Sequence, residues 1–181
     1  FALDFPKVER TSKQKVFGII TRKGTPGSIR WDRITALCDR ARDYGYEVHN
    51  IILGIGKIRD DDLLGLQEWT YKDMVMVDPQ DLDGLTRAIG ACDVIASTKF
   101  HGCVVATAYG IPAITMTTTD KFVNLYKHID RPDLISHYLH DDLVTHLSKY
   151  MARIPTLTRE KLRQEARTSM DNLRHAILNE I

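Results

Sequence analysis

The sequence predicts a doubly wound α/β domain built on a parallel sheet of five or six strands. Five short apolar runs alternate along the chain with segments of helical periodicity, and each run ends at glycine, proline or polar residues. Continuous apolar runs are typical of strands buried on both faces, and strands that alternate with helices are typical of parallel sheets. Right-handed crossovers place helices on both faces, so the predicted fold is Rossmann-like, followed by C-terminal helices.

The predicted strands cover residues 16–20, 48–55, 74–77, 94–96 and 113–116. In the usual strand order 3-2-1-4-5, strands one and four are neighbours at the switch point of the sheet. Ligands of such sheets bind in the crevice beyond the carboxyl ends of the strands. The residues that directly follow strands one, four and five are therefore candidates for a binding site.

Helical segments follow each strand. Ser28 is a candidate N-cap for the first helix, and Asp81 for the third. The second is expected to begin at Asp60, because three aspartates in a first turn suit the positive end of the helix dipole. The predicted helices span residues 31–44, 60–69, 82–91, 103–109, 121–129, 141–151 and 158–181.

Three segments organise the chain. Residues 1–14 are expected to be a linker or an incoming segment, and residues 15–155 a Rossmann-like domain. Residues 156–181 are expected to form a C-terminal helix that packs on the domain, on a missing partner half, or in a homo-oligomer. This helix carries apolar or small residues at helical spacing, which predicts one packing face.

Composition excludes several classes of protein. The chain has 181 residues, 43% of them hydrophobic and 27% charged, with a net charge of +1, so nothing pulls it as a whole toward nucleic acid. No apolar stretch is long enough to predict a membrane span. Its three cysteines lie far apart without CxxC spacing, which favours a reducing, cytoplasmic location over a disulfide framework.

A cation, a histidine and a glycine follow the fourth strand, as Lys99, His101 and Gly102. Backbone N–H groups are free where a strand turns into a helix, and the helix dipole is positive there, so the place suits an anion. Histidine is the side chain best suited to proton transfer near neutral pH. Gly102 would let backbone and ligand come close. The alternative is that these residues only solvate a loop.

Further charges follow strands one and five. Arg22 begins a turn that matches neither GxxxxGK[ST] nor GxGxxG, so it predicts no nucleotide site. It could clamp an anion bidentately, or stand exposed in a plain turn. Asp120 and Lys121 could serve the same crevice, or be an N-cap followed by a solvated lysine.

The histidines at positions 137, 140 and 146, with Asp141 and Asp142, could suggest a metal site. They lack any HExxH pattern, and Pro132 lies nearby. We therefore predict neither a metal nor a cofactor.

The segments that follow strands one, four and five resemble those of the polysaccharide pyruvyl transferase family. Members typically carry S-x-R-x-H, then A-x-x-x-G-x-P, then a D-P-K-like turn; the chain has STKFHG over 97–102, GIP over 110–112 and a closing Asp120-Lys121. Arg22 matches the arginine that follows the first strand of the same half. The resemblance covers residues 15–130 and is firmest over 92–121. Lys99 replaces the usual arginine, Gly102 the usual alanine, and the D-P-K proline is missing.

The resemblance implies one half of a GT-B fold, the C-terminal donor-binding half. It implies transfer of pyruvyl from phosphoenolpyruvate to a sugar hydroxyl, forming a ketal in cell-surface or exopolysaccharide synthesis. The acceptor would be a saccharide or a lipid-linked oligosaccharide, and activity would need an N-terminal half. His101 would be the general acid, and Arg22 and Lys99 would clamp the donor. Phe100, Gly102, Asp120 and Lys121 complete the expected donor site.

Two other functions remain open at this point. One is the C-terminal domain of a GT-B glycosyltransferase that binds a nucleotide-sugar, with Asp120 as the carboxylate on the ribose. The other is a non-catalytic α/β domain that binds an anionic metabolite.

Overall fold

A computed structural model gives the fold, and it describes residues 5–6, 8–9, 13–22, 29–67, 69, 71, 73–145 and 147–179. The strands are β1 (Lys15–Ile20), β2 (Tyr46–Ile51), β3 (Val75–Val77), β4 (Val94–Ser97) and β5 (Ala113–Thr115). They form one sheet in the order β3-β2-β1-β4-β5, and every neighbouring pair is parallel. The predicted fold class and strand order are confirmed.

Seven α-helices surround the sheet in the described part of the chain. They are α1 (Trp31–Asp43), α2 (Lys57–Leu66), α3 (Leu82–Gly90), α4 (Phe100–Tyr109), α5 (Asp120–His128), α6 (Asp141–Thr145) and α7 (Thr156–Asn179). Two short 3-10 turns, Pro132–Leu134 and Leu147–Tyr150, lie between the later helices.

The centre of the sheet explains why the apolar runs are continuous. In β1, Phe17, Ile19 and Ile20 are all 0% exposed, because helices cover both faces. Phe17 lies between Val48 of β2 and Val94 of β4 in the register. Each such side chain contributes about 2 kcal/mol by its burial. Because β1 and β4 are parallel neighbours at the centre, the residues that follow the two strands lie at the same edge of the sheet.

Several element boundaries differ from prediction. Helix α4 begins at Phe100 rather than at 103, so His101 lies in its first turn. Helix α2 begins at Lys57 rather than at Asp60, so of the three aspartates at 60–62 Asp60 alone lies in its first turn. Strand β2 ends at Ile51, because its neighbour β3 ends at Val77, whose carbonyl accepts the hydrogen bond from the next amide, that of Ile52. Residues 141–151 form α6 and a 3-10 turn rather than one helix. The predicted cap Ser28 and the histidine at 146 lie outside the described residues.

The C-terminal helix α7 packs on the domain near its beginning. Leu162 is 6% exposed, and Arg159 lies against Gly110, whose φ of 75° ends α4 in the left-handed conformation that glycine tolerates. Met170 and Leu173 further along are 57% and 55% exposed. The predicted division of the chain at residues 14 and 155 stays a prediction. Within the described residues, no helix is long and apolar enough to cross a bilayer.

Candidate functional site

A cleft of about 950 Å³ opens at the carboxyl ends of β1, β4 and β5. Arg22 lies on it beyond β1, and Lys99 and His101 lie on it at the junction of β4 with α4. The threonines at positions 98, 117, 118 and 119 add hydroxyl groups to the same side. The structure thus brings together the three cationic or titratable residues that were predicted beyond strands one and four.

The turn from β4 into α4 is held by a serine. The hydroxyl of Ser97 accepts a hydrogen bond from the Lys99 amide at 3.0 Å and donates one to the Lys99 carbonyl at 2.9 Å. Lys99 is the N-cap in an extended conformation, and its side chain makes no capping hydrogen bond. The first turn of α4 carries no acidic residue. No carboxylate of α4 itself therefore offsets the helix dipole, and its first N–H groups lack intrahelical partners.

Lys99 already has a counter-charge in the protein. Its ammonium group forms an ion pair with Asp62 of α2, and the two side chains are 16% and 6% exposed. The sequence does not predict this pair, because the pattern of three aspartates indicates the first turn of a helix, where the dipole alone favours negative charge. Pairing keeps Lys99 at the cleft, but it also places a carboxylate beside it.

We expect Lys99→Met to destabilise the protein by about 2 kcal/mol. The change leaves the Asp62 carboxylate without a counter-charge in a site that is 5% exposed, which costs about 3–5 kcal/mol when the group cannot move into water. The expected loss of stability is smaller here, because α2 has no other buried residue and can move so that water reaches Asp62. Urea denaturation of Lys99→Met, with Lys99→Arg as the charge-conserving control, measures it. Equal stability of both variants would contradict a structural role for the pair.

His101 and Phe100 occupy the first turn of α4 with different surroundings. The His101 side chain is exposed and lines the cleft, so a ligand can reach its imidazole. The ring of Phe100 packs edge-on against Phe122 of α5, with centroids 5.6 Å apart. Phe100 also lines the cleft, so it is both a support for the first turn of α4 and part of the wall.

Gly102 is buried and does not belong to the described cleft lining. A Cβ atom at Gly102 would stand 2.9 Å from Cδ1 of Ile20 and 3.0 Å from Oγ of Ser97. The missing side chain therefore lets α4 start directly against the ends of β1 and β4. Its predicted contact with a ligand stays a prediction.

Asp120 and Lys121 lie apart from the cleft lining that the structure describes. Asp120 is the first residue of α5 and is exposed, with Thr119 as the N-cap. Lys121 faces a different groove of about 630 Å³, lined by residues of α4, α5 and α7. Their predicted roles in a donor site have no support from this geometry.

His137 is a cleft residue that sequence reasoning passed over. The chain after the 3-10 turn returns along β5: the Ser136 amide donates to the Thr115 hydroxyl at 2.8 Å, and the Tyr138 amide donates to the Met116 carbonyl at 3.1 Å. These bonds carry His137 and Tyr138 to the cleft. The sequence offers one signal for it, the histidine pair at 137 and 140, but that spacing suggests a metal site and not a place beside β5.

The surroundings of His137 favour its neutral form. Burial and the nearby His140 lower the pKa of His137 below its usual 6.5. The Leu139 amide donates a hydrogen bond to Nδ1 of His137 at 3.2 Å, so Nδ1 must be unprotonated. The neutral ring then carries its proton on Nε2 and is a hydrogen-bond donor there.

We expect nitrogen-15 NMR at pH 7 to show His137 neutral, with its proton on Nε2. Its charge change should fall below pH 6.5, because the folded state disfavours the imidazolium. By linkage, its contribution to stability is complete above pH 6.5 and is lost as the pH falls toward its folded pKa. The His137→Gln variant should lack this loss. A ring protonated on Nδ1 at pH 7 would contradict the hydrogen bond from Leu139.

Part of the cleft lining is apolar. Ile55, Ile58 and Leu82 line the cleft and are 48%, 62% and 64% exposed. A ligand of this cleft therefore meets aliphatic side chains as well as cations and hydroxyl groups.

Nucleophilic and metal chemistry find little support. Burial raises the pKa of the Cys103 thiol in α4 to about 12, so this thiol stays protonated and packs in the core. Among the residues that the structure describes, no group of three or more His, Cys, Asp or Glu side chains could hold a metal ion. Arg22, Lys99 and His101 line the cleft, and side chains of these types can bind an anion or transfer a proton.

A family model described as polysaccharide pyruvyl transferase matches residues 1–120 of the 181-residue chain. A comparison with curated protein sequences found no match.

The chain is similar to several solved structures at low sequence identity. A protein described as a UDP-N-acetylglucosamine 2-epimerase from Listeria monocytogenes is 9% identical, with a TM-score of 0.54 over 84% of this chain and 40% of that one. The UDP-GlcNAc 2-epimerase from Neisseria meningitidis is 12% identical, with a TM-score of 0.47 over 87% and 45%. The E. coli ADP-heptose LPS heptosyltransferase II is 20% identical, with a TM-score of 0.40 over 60% and 35%. The chain thus spans less than half the length of each.

Proposed function

The chain belongs to the polysaccharide pyruvyl transferase family, and on that premise we propose that it is the donor-binding half of an enzyme that transfers pyruvyl from phosphoenolpyruvate to a sugar hydroxyl. The observation that carries the proposal is the convergence of Arg22, Lys99 and His101 on one cleft at the N-terminus of α4. A donor with a phosphate and a carboxylate needs cations and open backbone N–H groups.

The proposed roles follow from the chemistry of each side chain. Arg22 presents a planar guanidinium that holds a carboxylate or a phosphate through two parallel hydrogen bonds. Lys99 adds a point charge, and the first turn of α4 adds N–H groups. His101 is exposed to the cleft and can deliver a proton.

The reaction balances with one proton from His101. Protonation of the methylene carbon turns it into a methyl group and makes the neighbouring carbon electrophilic. Two sugar hydroxyls then form two C–O bonds at that carbon, and the C–O bond to phosphate breaks. Of the two protons that the hydroxyls lose, one restores His101 and the other leaves with the phosphate. The products are a cyclic pyruvate ketal and inorganic phosphate.

The acceptor is proposed to bind between this chain and an N-terminal half. The chain corresponds to 40% of the length of the Listeria protein that shares its fold. Such a half would face the cleft and supply the groups that choose the saccharide or lipid-linked oligosaccharide. We therefore expect the present 181 residues alone to bind the donor without turnover.

The experiment is a coupled assay of phosphate release by the enzyme that contains both halves. It should release phosphate from phosphoenolpyruvate only when a saccharide acceptor is present, and the acceptor should gain the mass of a pyruvate ketal. Transfer from a nucleotide-sugar, with phosphoenolpyruvate inert, would overturn the proposal in favour of a glycosyltransferase.

A further inference from the structure

Helix α2 (Lys57–Leu66) docks on the cleft in an unusual way. Among its ten residues, all of which the structure describes, Asp62 is the one that is buried. Its apolar residues Ile58 and Leu64 are 62% and 49% exposed, while Leu66 packs partly against the core at the last turn. Helices of globular proteins normally dock through an apolar stripe. In this helix the one buried side chain is a carboxylate, and Leu63 and Leu66 are half-buried.

Two ion pairs fasten α2 at different places. At the cleft, the ammonium group of the lining residue Lys99 pairs with Asp62, and their side chains are 16% and 6% exposed. Outside it, Arg59 donates from Nε to Oδ1 of Asp78 at 2.8 Å, beyond the end of β3. Only the inner pair uses a residue of the proposed donor site. The position of α2 is thereby tied to the charge on Lys99.

A ligand anion at Lys99 changes the balance of this pair. Once Lys99 turns to the ligand, Asp62 is left as a buried carboxylate beside a second negative charge, which is strongly unfavourable. Outward movement of α2 removes that penalty by hydrating Asp62. The apolar burial that this movement gives up is limited to that of the half-buried Leu63 and Leu66, because Ile58 and Leu64 are already exposed.

We propose that Asp62 is an internal competitor for the anion site at Lys99, and that an anion bound there releases α2 from the cleft. The inference rests on the proposed function in taking Lys99 as a donor contact, but it requires anion binding and not pyruvyl transfer. Ile58 of α2 lines the cleft, so release also opens the apolar wall. The donor would bind first, and the wall would open after it.

Hydrogen–deuterium exchange of the 181-residue chain tests the release. Saturating phosphoenolpyruvate, or inorganic phosphate alone, should speed exchange of the amides of residues 57–66 about tenfold, with sodium chloride at equal ionic strength as the control. Slowed or unchanged exchange in α2 while the anion binds would overturn the proposal. A response to phosphoenolpyruvate without one to phosphate would still support it and would assign the competition to the carboxylate.

Asp62→Asn tests the competition. It removes the charge but keeps the shape, so the variant should bind phosphoenolpyruvate about tenfold more tightly, within the range of coupling usual between sites. Its α2 should exchange rapidly without an anion. The control is Asp60→Asn, an equal charge change on the same helix at a carboxylate that is 69% exposed, which should alter neither property. Weaker binding by Asp62→Asn than by Asp60→Asn would overturn the proposal.

The outcomes separate this inference from the proposed function. If the enzyme shows no pyruvyl transfer but phosphate still speeds amide exchange in α2, the inference stands and the proposed function fails. If the enzyme is active but phosphoenolpyruvate leaves amide exchange in α2 unchanged, the proposed function stands and the inference fails. Absence of anion binding in both the parent chain and Asp62→Asn counts against both, because Lys99 would then hold no ligand.

Discussion

His101→Gln should lower kcat about a thousandfold and leave the KM for phosphoenolpyruvate within about threefold. General acid catalysis by one side chain usually contributes about 10²–10⁴ in rate. Glutamine keeps a hydrogen-bond donor at a similar place but cannot deliver a proton. The loss should therefore fall on the chemical step and not on binding of the donor. Steady-state assays of phosphate release by the two-half enzyme measure both constants.

The control for His101→Gln is His175→Gln, the same substitution at an exposed histidine of α7. It should leave both constants unchanged. Near-normal kcat in His101→Gln would remove this residue from the mechanism.

Arg22→Ala should raise the KM for phosphoenolpyruvate about a hundredfold. Removing one charged partner of a hydrogen-bonded ion pair costs about 2–5 kcal/mol, and the exposed position of Arg22 favours the lower end of that range. Arg22→Lys should lose about tenfold, because it keeps the charge and loses the planar fork. Donor affinity that falls from the parent protein to Arg22→Lys and further to Arg22→Ala indicates bidentate binding.

Arg174→Ala is the matched control, since Arg174 is an exposed arginine of α7. It should bind the donor as the parent does. If Arg22→Ala and Arg174→Ala have equal KM values, Arg22 is an exposed residue of a plain turn, and another cation must hold the donor.

The residues found from the sequence were those whose partners are local. The strand before Ser97 and the helix after Lys99 are adjacent in the chain, so their junction could be read from a short segment. The strand order followed from the alternation of apolar runs and helices. Once β1 and β4 are neighbours, Arg22 and His101 must lie near the same edge of the sheet.

The residues missed were those whose partners are distant. Asp62 pairs with a lysine 37 residues away, and nothing in its own segment distinguishes it from Asp60 and Asp61. A cluster of three acids is typical of a helix start, so the helix was placed three residues too late. His137 follows a 3-10 turn, and hydrogen bonds between its neighbours and the β5 segment place it at the cleft. Hydrophobic periodicity in the sequence cannot predict such bonds.

Titration calorimetry of the 181-residue chain with phosphoenolpyruvate, UDP and GDP is the most direct test of donor binding. Phosphoenolpyruvate should bind with a Kd below about 1 mM, equivalent to about 4 kcal/mol of binding free energy. UDP and GDP should bind more weakly, and Arg22→Ala should weaken phosphoenolpyruvate binding about a hundredfold. Tighter binding of either nucleotide, or phosphoenolpyruvate binding that survives Arg22→Ala unchanged, would contradict the proposed function.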